Sequence, residues 1–376
     1  YLLKGAGTFH PSYYYPDVRN HRRYVDAFAE ADGSLAERGV AAQMKVRTAY
    51  PRRVGDKVYA FPYSPVFFIP FTWLPQDRDL VEQALKHVAL AAAAAEVVVV
   101  YWLAGACFGP ASGVFAAWLA AFFPAMYSRL FLAMWPTITG HLLDILAIGS
   151  AMAIAARPPS LTRLAAFGAC MLASFLTYVS SLFNLSAFTA FFSLLEQRVA
   201  LRTVALWAGA TVATVSLLYF SFTITFLSEI LPALLSSGLP PGRASLASNL
   251  FLSLQRLPQF YGYGTLALAV AGFVLARRQS PPSTFRSLLA YGLSFLMLLV
   301  LRGASGGLFK DLKEIIYVGP LIAVTAGASL ETLAARGRPE RWAAWLILCG
   351  IIIFWAGQYR EYLAAYASLA AVNPLN

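Results

Sequence analysis

One aspartate stands beside a dense cluster of basic residues near the start of the chain. Asp17 lies in the stretch YYYPDVRNHRRYVDAF and is followed by Arg19, His21, Arg22 and Arg23. A carboxylate within about 3 Å of a hydroxyl group can take its proton as a general base. Arginine and lysine side chains can hold a phosphate group that leaves in the same step. The stretch therefore combines residue types that can deprotonate an acceptor and bind an anionic lipid headgroup.

The same residues also have a structural interpretation. Pro16 precedes Asp17, and proline favours the first position of a helix. If the following residues are helical, Arg19 and Arg22 or Arg23 project three or four residues apart onto one face. Asp17 could instead cap this helix, with the basic residues only attracting anionic lipid. The sequence leaves both interpretations open.

A late basic segment, RGASGGLFKDLKE, occupies residues 302–314. Its glycines leave backbone N–H groups approachable by an anion, and Arg302, Lys310 and Lys313 add positive charge. Binding of a lipid phosphate is one interpretation of this segment. The alternative is a solvated loop whose basic and acidic residues pair with one another and anchor the next helix.

Three ionisable residues lie within apolar segments, where charge is costly and is often connected to function. Glu96 stands in AAAAAEVVVV, and His141 and Asp144 are three residues apart on one helical face. We expect Glu96 to pair across helices or to be protonated. His141 lies near the outer end of its segment, from which its ring could reach an outer pocket.

Composition assigns the chain to integral membrane proteins, because 59% of its 376 residues are hydrophobic and only 12% are charged. A helix needs about 17 to 25 apolar residues to cross a bilayer, and no alternating strand pattern of a membrane barrel is present. We therefore predict an all-α polytopic membrane protein with about ten transmembrane helices. The predicted spans are 88–106, 111–126, 137–156, 164–180, 183–196, 203–227, 263–276, 287–301, 314–334 and 342–358, with 164–196 open to being one long tilted helix.

Three regions follow from these spans: an outer loop with juxtamembrane helices at 1–87, a transmembrane helical domain at 88–358 and an outer C-terminal tail at 359–376. Residues 61–75, FPYSPVFFIPFTWLP, contain four prolines, which disfavour a spanning helix and favour an element at the membrane surface. The cysteines Cys107, Cys170 and Cys349 stand singly, which argues against a disulfide framework or a zinc site.

Arginine-rich short loops predict the orientation, since Arg and Lys accumulate on the cytoplasmic side. Four such loops, at 157–163, 196–202, 276–286 and 335–341, alternate correctly with ten spans. The candidate residues then share the outer face, and we expect a further helix before Tyr1. The net charge of +11 needs no nucleic-acid partner, because basic residues at two lipid surfaces account for it.

The order of these features resembles the GT-C type integral membrane glycosyltransferases, including the protein mannosyltransferase and aminoarabinose transferase branches. The matching stretches are PDVRNHRRYVDAFAEADG, the surface element YAFPYSPVFFIPFTWL at 59–74, and the small-residue-rich helices of 91–149. Where many members have a second acidic residue, this chain has Thr139, Gly140 and His141, with Asp144 one turn further. The basic residue before the surface element is also missing, and Lys57 is the nearest candidate.

The resemblance implies transfer of a sugar, of the hexosyl or mannosyl kind, from a polyprenyl-phosphate donor to an acceptor on the outer face. It implies catalytic roles for Asp17 and His141. We expect no cofactor; a divalent cation at Asp17 stays an open alternative, although it has no second carboxylate to share it. We expect a bacterial inner membrane, with the active face toward the periplasm, and membrane lipids and other membrane subunits as partners. The residues expected to bind substrate are Arg19, His21, Arg22, Arg23, Lys57, Arg302, Lys310 and Lys313.

Two other functions fit the same sequence. One is a catalytically silent accessory subunit of a larger membrane complex, which the missing second acid favours. The other is a transporter for an anionic lipid, for which we would expect inverted repeats or paired broken helices. The sequence contains no such repeat.

Overall fold

The computed structural model describes residues 16–46, 51–54, 57–60, 64–75, 77–157, 160–230, 232, 246–304 and 313–372. These residues are predominantly helical. The helices are α1 Pro16–Glu30, α2 Leu35–Val46, α3 Arg78–Phe108, α4 Pro110–Phe122, α5 Pro124–Phe131, α6 Trp135–Ala156, α7 Leu161–Thr177, α8 Ser180–Leu195, α9 Ala200–Thr214, α10 Phe220–Thr225, α11 Leu246–Tyr261, α12 Tyr263–Gln279, α13 Pro282–Ala304, α14 Lys313–Tyr317, α15 Gly319–Ala334 and α16 Arg338–Val372. Two π-helical turns, Val215–Tyr219 and Phe226–Ile230, follow α9 and α10.

Seven of the described helical stretches are long and apolar enough to cross a membrane. An eighth span arises if α11 and α12, which meet at an angle of 102°, are counted together. The shorter apolar helices α7 and α8 occupy the remaining predicted positions. Every predicted span therefore contains an apolar helix, and the prediction of an all-α polytopic membrane protein is confirmed. The long helix α16 continues to Val372, through most of the predicted C-terminal tail.

The segment 164–196 forms two helices rather than one tilted helix. Helix α7 ends at Thr177, and Tyr178 has an extended backbone with φ −148° and ψ 118°. Helix α8 then begins at Ser180. One extended residue is enough to interrupt the i to i−4 hydrogen bonds that would continue the helix.

Helix α15 is the most buried spanning helix and packs closely against its neighbours through glycines. A Cβ atom added to Gly272 of α12 would lie only 1.8 Å from the carbonyl oxygen of Thr325. One added to Gly327 would lie 2.8 Å from the carbonyl oxygen of Ser112 on α4. Small residues let helix backbones approach closely where lipid supplies no hydrophobic driving force. These glycines therefore fix the centre of the bundle.

A second, smaller core joins the N-terminal region to the bundle. It combines α1, a 3₁₀ helix at Ile69–Trp73, the start of α3 and the corner between α5 and α6. Phe67, Phe68 and Phe71 are buried in this core, and the Ser64 hydroxyl donates to the carbonyl of Leu176 at the end of α7. The proline-rich element is thus a short, docked turn and not a spanning helix, as its prolines led us to expect.

Residues 51–60 contain a two-stranded antiparallel hairpin that we did not predict. Strands β1 Pro51–Val54 and β2 Lys57–Ala60 pair so that Val54 faces Lys57. The intervening residues are Gly55 and Asp56, a dipeptide that favours two-residue hairpin turns. That dipeptide is the sequence signal that could have identified the hairpin.

One ion pair supports the predicted grouping of the arginine-rich loops. Arg286, in the segment 276–286, donates through Nε to Glu196 at 2.7 Å. Glu196 begins the segment 196–202, so two of the four predicted cytoplasmic loops meet at the same end of the bundle. The identity of that end as cytoplasmic stays a prediction from charge.

Candidate functional site

Helix α1 carries the aspartate that we singled out, and its residues divide between two faces. Val18, Tyr24 and Phe28 are buried against the second core, while Arg19 and Arg23 are exposed. Arg19 and Arg23 are four residues apart, so they share one face of the helix. Asp17 is the second residue of α1; its side chain lies outside the described part of the structure.

His21 docks α1 onto the corner between α5 and α6. Its Nε2 lies 2.6 Å from the carbonyl oxygen of Ala133, and because a carbonyl only accepts, this nitrogen carries the hydrogen. The ring packs against Phe68 and Trp135, with centroids 5.5 and 5.2 Å away. Ala133 has a positive φ of 47°, a backbone conformation that is strained for a non-glycine residue. His21, which is 6% exposed, therefore anchors the helix rather than facing solvent.

Neighbouring polar residues hold α1 in the same orientation. Arg22 pairs with Asp26 across one turn at 3.7 Å. The Tyr24 hydroxyl donates to the carbonyl of Gly39 on α2 at 3.2 Å. Burial raises the pKa of Tyr24, so its hydroxyl keeps its proton and remains a donor at neutral pH. Helices α1 and α2 consequently pack as one unit.

His141 lies in the second turn of α6 and is 1% exposed. Its ring meets Tyr317 of α14 edge-on, with centroids 6.1 Å apart. Trp135, which contacts His21, begins the same helix six residues earlier, about 9 Å along the axis at 1.5 Å per residue. Helices α1 and α14 therefore both contact the first two turns of α6.

The late basic segment reaches this region through α14. Lys313 is the first residue of α14, and Arg302 lies near the end of α13. The side chains of both residues, and the whole of Lys310, lie outside the described part of the structure. Lys57 lies on β2, and its side chain is likewise outside the description.

Asp144 braces three helices against each other. Its carboxylate accepts from Ser174 Oγ at 2.6 Å and from Asn184 Nδ2 at 2.9 Å. Ser174 also lies 3.2 Å from the carbonyl oxygen of Gly140. The side chain of Asp144 is fully buried and joins α6 to α7 and α8. Asp144 and His141 therefore share a helix, but Asp144 bonds to α7 and α8 while His141 packs against α14.

Glu96 has the cross-helix partner that we expected, and that partner is Arg129 of α5. The two side chains are fully buried, with Nη2 of Arg129 2.5 Å from Oε2 of Glu96. Among the described residues, Nε and Nη1 of Arg129 and Oε1 of Glu96 have no hydrogen-bond partner. Arg129 was missed because residues 127–136 fall between the predicted spans 111–126 and 137–156. The signal was an arginine within the apolar stretch PAMYSRLFLAMW.

Metal ligands do not cluster in the described residues. No group of three or more His, Cys, Asp or Glu side chains is close enough there to hold a metal ion.

No protein-family model and no curated protein matches the chain. Among solved structures, ArnT from Cupriavidus metallidurans in the apo state matches with a TM-score of 0.53 and 18% identity, over 87% of this chain and 57% of that chain. ArnT bound to undecaprenyl phosphate matches with a TM-score of 0.55 and 16% identity, over 89% and 58% of the two chains. The oligosaccharyltransferase from Archaeoglobus fulgidus, in complex with Zn and sulfate, matches with a TM-score of 0.58 and 12% identity, over 95% and 52%.

These similarities cover nearly all of this chain, which spans just over half the length of the chains that it matches. At such low identity they establish the fold alone. The GT-C type fold that the sequence resemblance predicted is thereby confirmed.

Proposed function

We propose that the chain is a membrane glycosyltransferase that moves a sugar, of the hexosyl or mannosyl kind, from a polyprenyl-phosphate donor to an acceptor on the outer face. The observation that carries this proposal is that α1 and α14 both contact the first two turns of α6. Asp17 belongs to α1 and Lys313 to α14, so a candidate base and a candidate phosphate-binding segment belong to two elements that contact the same helix.

The proposed reaction is a single in-line displacement. The acceptor oxygen forms a bond to the anomeric carbon of the sugar, while the bond from that carbon to the phosphate oxygen breaks. The phosphate leaves with the bonding electrons, and the acceptor proton passes to the carboxylate of Asp17. The anomeric configuration is inverted. General-base catalysis of this kind contributes about 10²- to 10⁴-fold in rate.

The basic residues have a separate task, which is to stabilise the charge that develops on the leaving phosphate. We assign this task to Arg19 and Arg23 on the exposed face of α1 and to Arg302, Lys310 and Lys313 of the late basic segment. Arg22 and Lys57 are candidates for the same phosphate. His141 would contribute from α6, where it contacts Tyr317.

Donor turnover by the chain tests the proposal. Membranes that contain the protein are incubated with undecaprenyl-phosphate mannose and glucose, each labelled in the sugar, and the loss of label from the lipid fraction is followed. We expect faster loss than in membranes from cells without the protein. The proposal would be contradicted if, for both donors, label is lost no faster than from membranes without the protein, in membranes that retain their natural acceptors.

A catalytically silent subunit of a larger membrane complex is the second candidate. The burial of Asp144 favours this candidate. Asp144 is the acid nearest to the position where a second catalytic carboxylate is expected, and its carboxylate is already engaged by hydrogen bonds from Ser174 and Asn184. Copurification with other membrane subunits, combined with no donor turnover, would support this candidate.

A further inference from the structure

The five-residue helix α14 is held through its own backbone carbonyl groups. The Tyr261 hydroxyl of α11 donates to the carbonyl of Ile315 at 2.5 Å. The Tyr291 hydroxyl of α13 donates to the carbonyl of Tyr317 at 2.5 Å. Both tyrosines are fully buried. A helix this short leaves most of its carbonyls without an intrahelical partner, and the two hydroxyls satisfy two of them.

The side chain of Tyr317 ties the same helix again to α13 and also to two further elements, α8 and α6. Its hydroxyl lies 3.1 Å from Ser294 Oγ on α13 and 3.4 Å from the carbonyl oxygen of Asn184 on α8. Its ring packs edge-on against Tyr291 at 4.9 Å and against His141 at 6.1 Å. Helix α14 is therefore fixed relative to α6, α8, α11 and α13.

The residues around α14 are shaped for these contacts. A Cβ atom added to Gly319 would lie 2.9 Å from the Tyr261 hydroxyl, so a side chain there would displace that tyrosine. Ile315 and Ile316 are buried in the main core. Because each tyrosine hydroxyl donates to a backbone carbonyl, neither is free to donate to a substrate.

We propose that Tyr261 and Tyr291 are positioning residues that hold the C-terminal end of the late basic segment beside α6. Lys313 is the first residue of α14, so the position of α14 sets where Lys313 can reach. This inference rests on the proposed function, in which the segment binds the phosphate of the lipid donor. The hydroxyls act on that phosphate through the backbone of α14 and do not touch it.

The test replaces Tyr291 by phenylalanine, which keeps the buried ring and removes the donor. Hydrogen–deuterium exchange of the peptide covering residues 313–318 should become about fivefold to tenfold faster, the change expected for one net hydrogen bond. The KM for the undecaprenyl-phosphate sugar should rise by a similar factor, with kcat changed less than twofold. Tyr261→Phe should act in the same direction.

Tyr219→Phe is the matched control, because it makes the same change at another buried tyrosine, in the π-helical turn after α9. It should leave the exchange of 313–318 and the donor KM unchanged. Unchanged exchange of 313–318 in both Tyr291→Phe and Tyr261→Phe would overturn the inference. So would an equal acceleration in Tyr219→Phe, since the effect would then be a general loosening of the fold.

Failure of the proposed function gives a different result. The wild-type protein would then turn over no donor, while hydrogen exchange in the Tyr291→Phe variant would still show whether the Tyr291 hydroxyl holds α14. Binding of undecaprenyl phosphate to wild-type and variant protein is compared by native mass spectrometry. If exchange accelerates but binding is equal, the two hydroxyls hold α14 without positioning the phosphate site, and the inference is wrong.

Discussion

At the level of single residues, the buried charges of Glu96 and Arg129 form an ion pair. Glu96 and Arg129 neutralise each other between α3 and α5, and both side chains are fully buried. Several of their atoms lack a hydrogen-bond partner among the described residues. A buried ion pair of this kind stabilises little by itself, because desolvation offsets the attraction, but losing one partner leaves an uncompensated charge.

Removal of one member of this pair should therefore destabilise the protein more than removal of both. We expect Glu96→Gln to destabilise the protein by about 3 to 5 kcal/mol, since Arg129 would keep its charge without a counterion. The double variant Glu96→Gln, Arg129→Met should recover most of that loss. Thermal unfolding in detergent measures both, and additive losses in the double variant would show that the two side chains are not coupled.

His21 illustrates how far sequence reasoning reaches for one residue. Its place in a basic cluster beside Asp17 suggested a phosphate ligand, and the structure instead gives its Nε2 to the carbonyl of Ala133. That partner is 112 residues away in the chain, so no local pattern could have indicated it. The shared helical face of Arg19 and Arg23, by contrast, follows from helical spacing alone.

At the level of elements, helix contacts in the bundle depend on a few glycines. Gly272 lets α12 approach the backbone of α15, where a Cβ atom would lie 1.8 Å from the Thr325 carbonyl oxygen. A Cβ atom on Gly209 of α9 would meet nothing within 4 Å. Replacement by alanine can therefore be compared at a tightly packed glycine and at a glycine in open space.

We expect Gly272→Ala to destabilise the protein by about 1 to 3 kcal/mol, because the two helices must move apart. Gly209→Ala should be neutral or should stabilise by up to about 1 kcal/mol, since alanine favours a helix over glycine. The midpoint of thermal unfolding in detergent distinguishes them. Equal shifts for both variants would show that the close contact between α12 and α15 does not limit stability.

Helix α2 begins with a capping box formed by Ser34 and Glu37. The Ser34 backbone N–H and hydroxyl both donate to Oε2 of Glu37, at 2.8 and 2.7 Å. These bonds favour the carboxylate and lower the pKa of Glu37 below its usual 4.5. The stabilisation is therefore present above pH 4.5 and is lost as the pH falls through the lowered pKa of the folded state.

Ser34→Ala should destabilise α2 at pH 7 by about 1 kcal/mol through loss of the cap. The difference in unfolding midpoint between wild-type and variant protein should shrink as the pH is lowered from 7 to 3. Hydrogen exchange of the first turn of α2 reports the same change locally. A difference that is independent of pH would mean that the carboxylate of Glu37 does not contribute.

Sequence patterns predicted the spanning elements well and the contacts between elements poorly. Apolar runs located every span, because burial in lipid requires continuous hydrophobic segments. The hairpin at 51–60 and the partner of Glu96 were not predicted. Each depends on how distant segments pack or on short turn chemistry, which hydropathy does not encode.

On the scale of the whole molecule, the GT-C type fold extends over nearly the whole chain. The chain spans just over half the length of the solved proteins that it matches, and we propose its site at the N-terminal end of α6. Helix α1 docks there through His21, and α14 docks there through Tyr317. In the proposed reaction, Asp17 of α1 is the base for a sugar that is transferred beside α14.

Replacement of Asp17 by asparagine tests that claim most directly. Initial rates of label transfer from undecaprenyl-phosphate sugar are measured for wild-type protein, Asp17→Asn and the control Asp32→Asn, which makes the same change just beyond the end of α1. We predict a loss of about 10²- to 10⁴-fold for Asp17→Asn with an unchanged unfolding midpoint, and wild-type rates for Asp32→Asn. Full activity of a correctly folded Asp17→Asn variant would contradict the account.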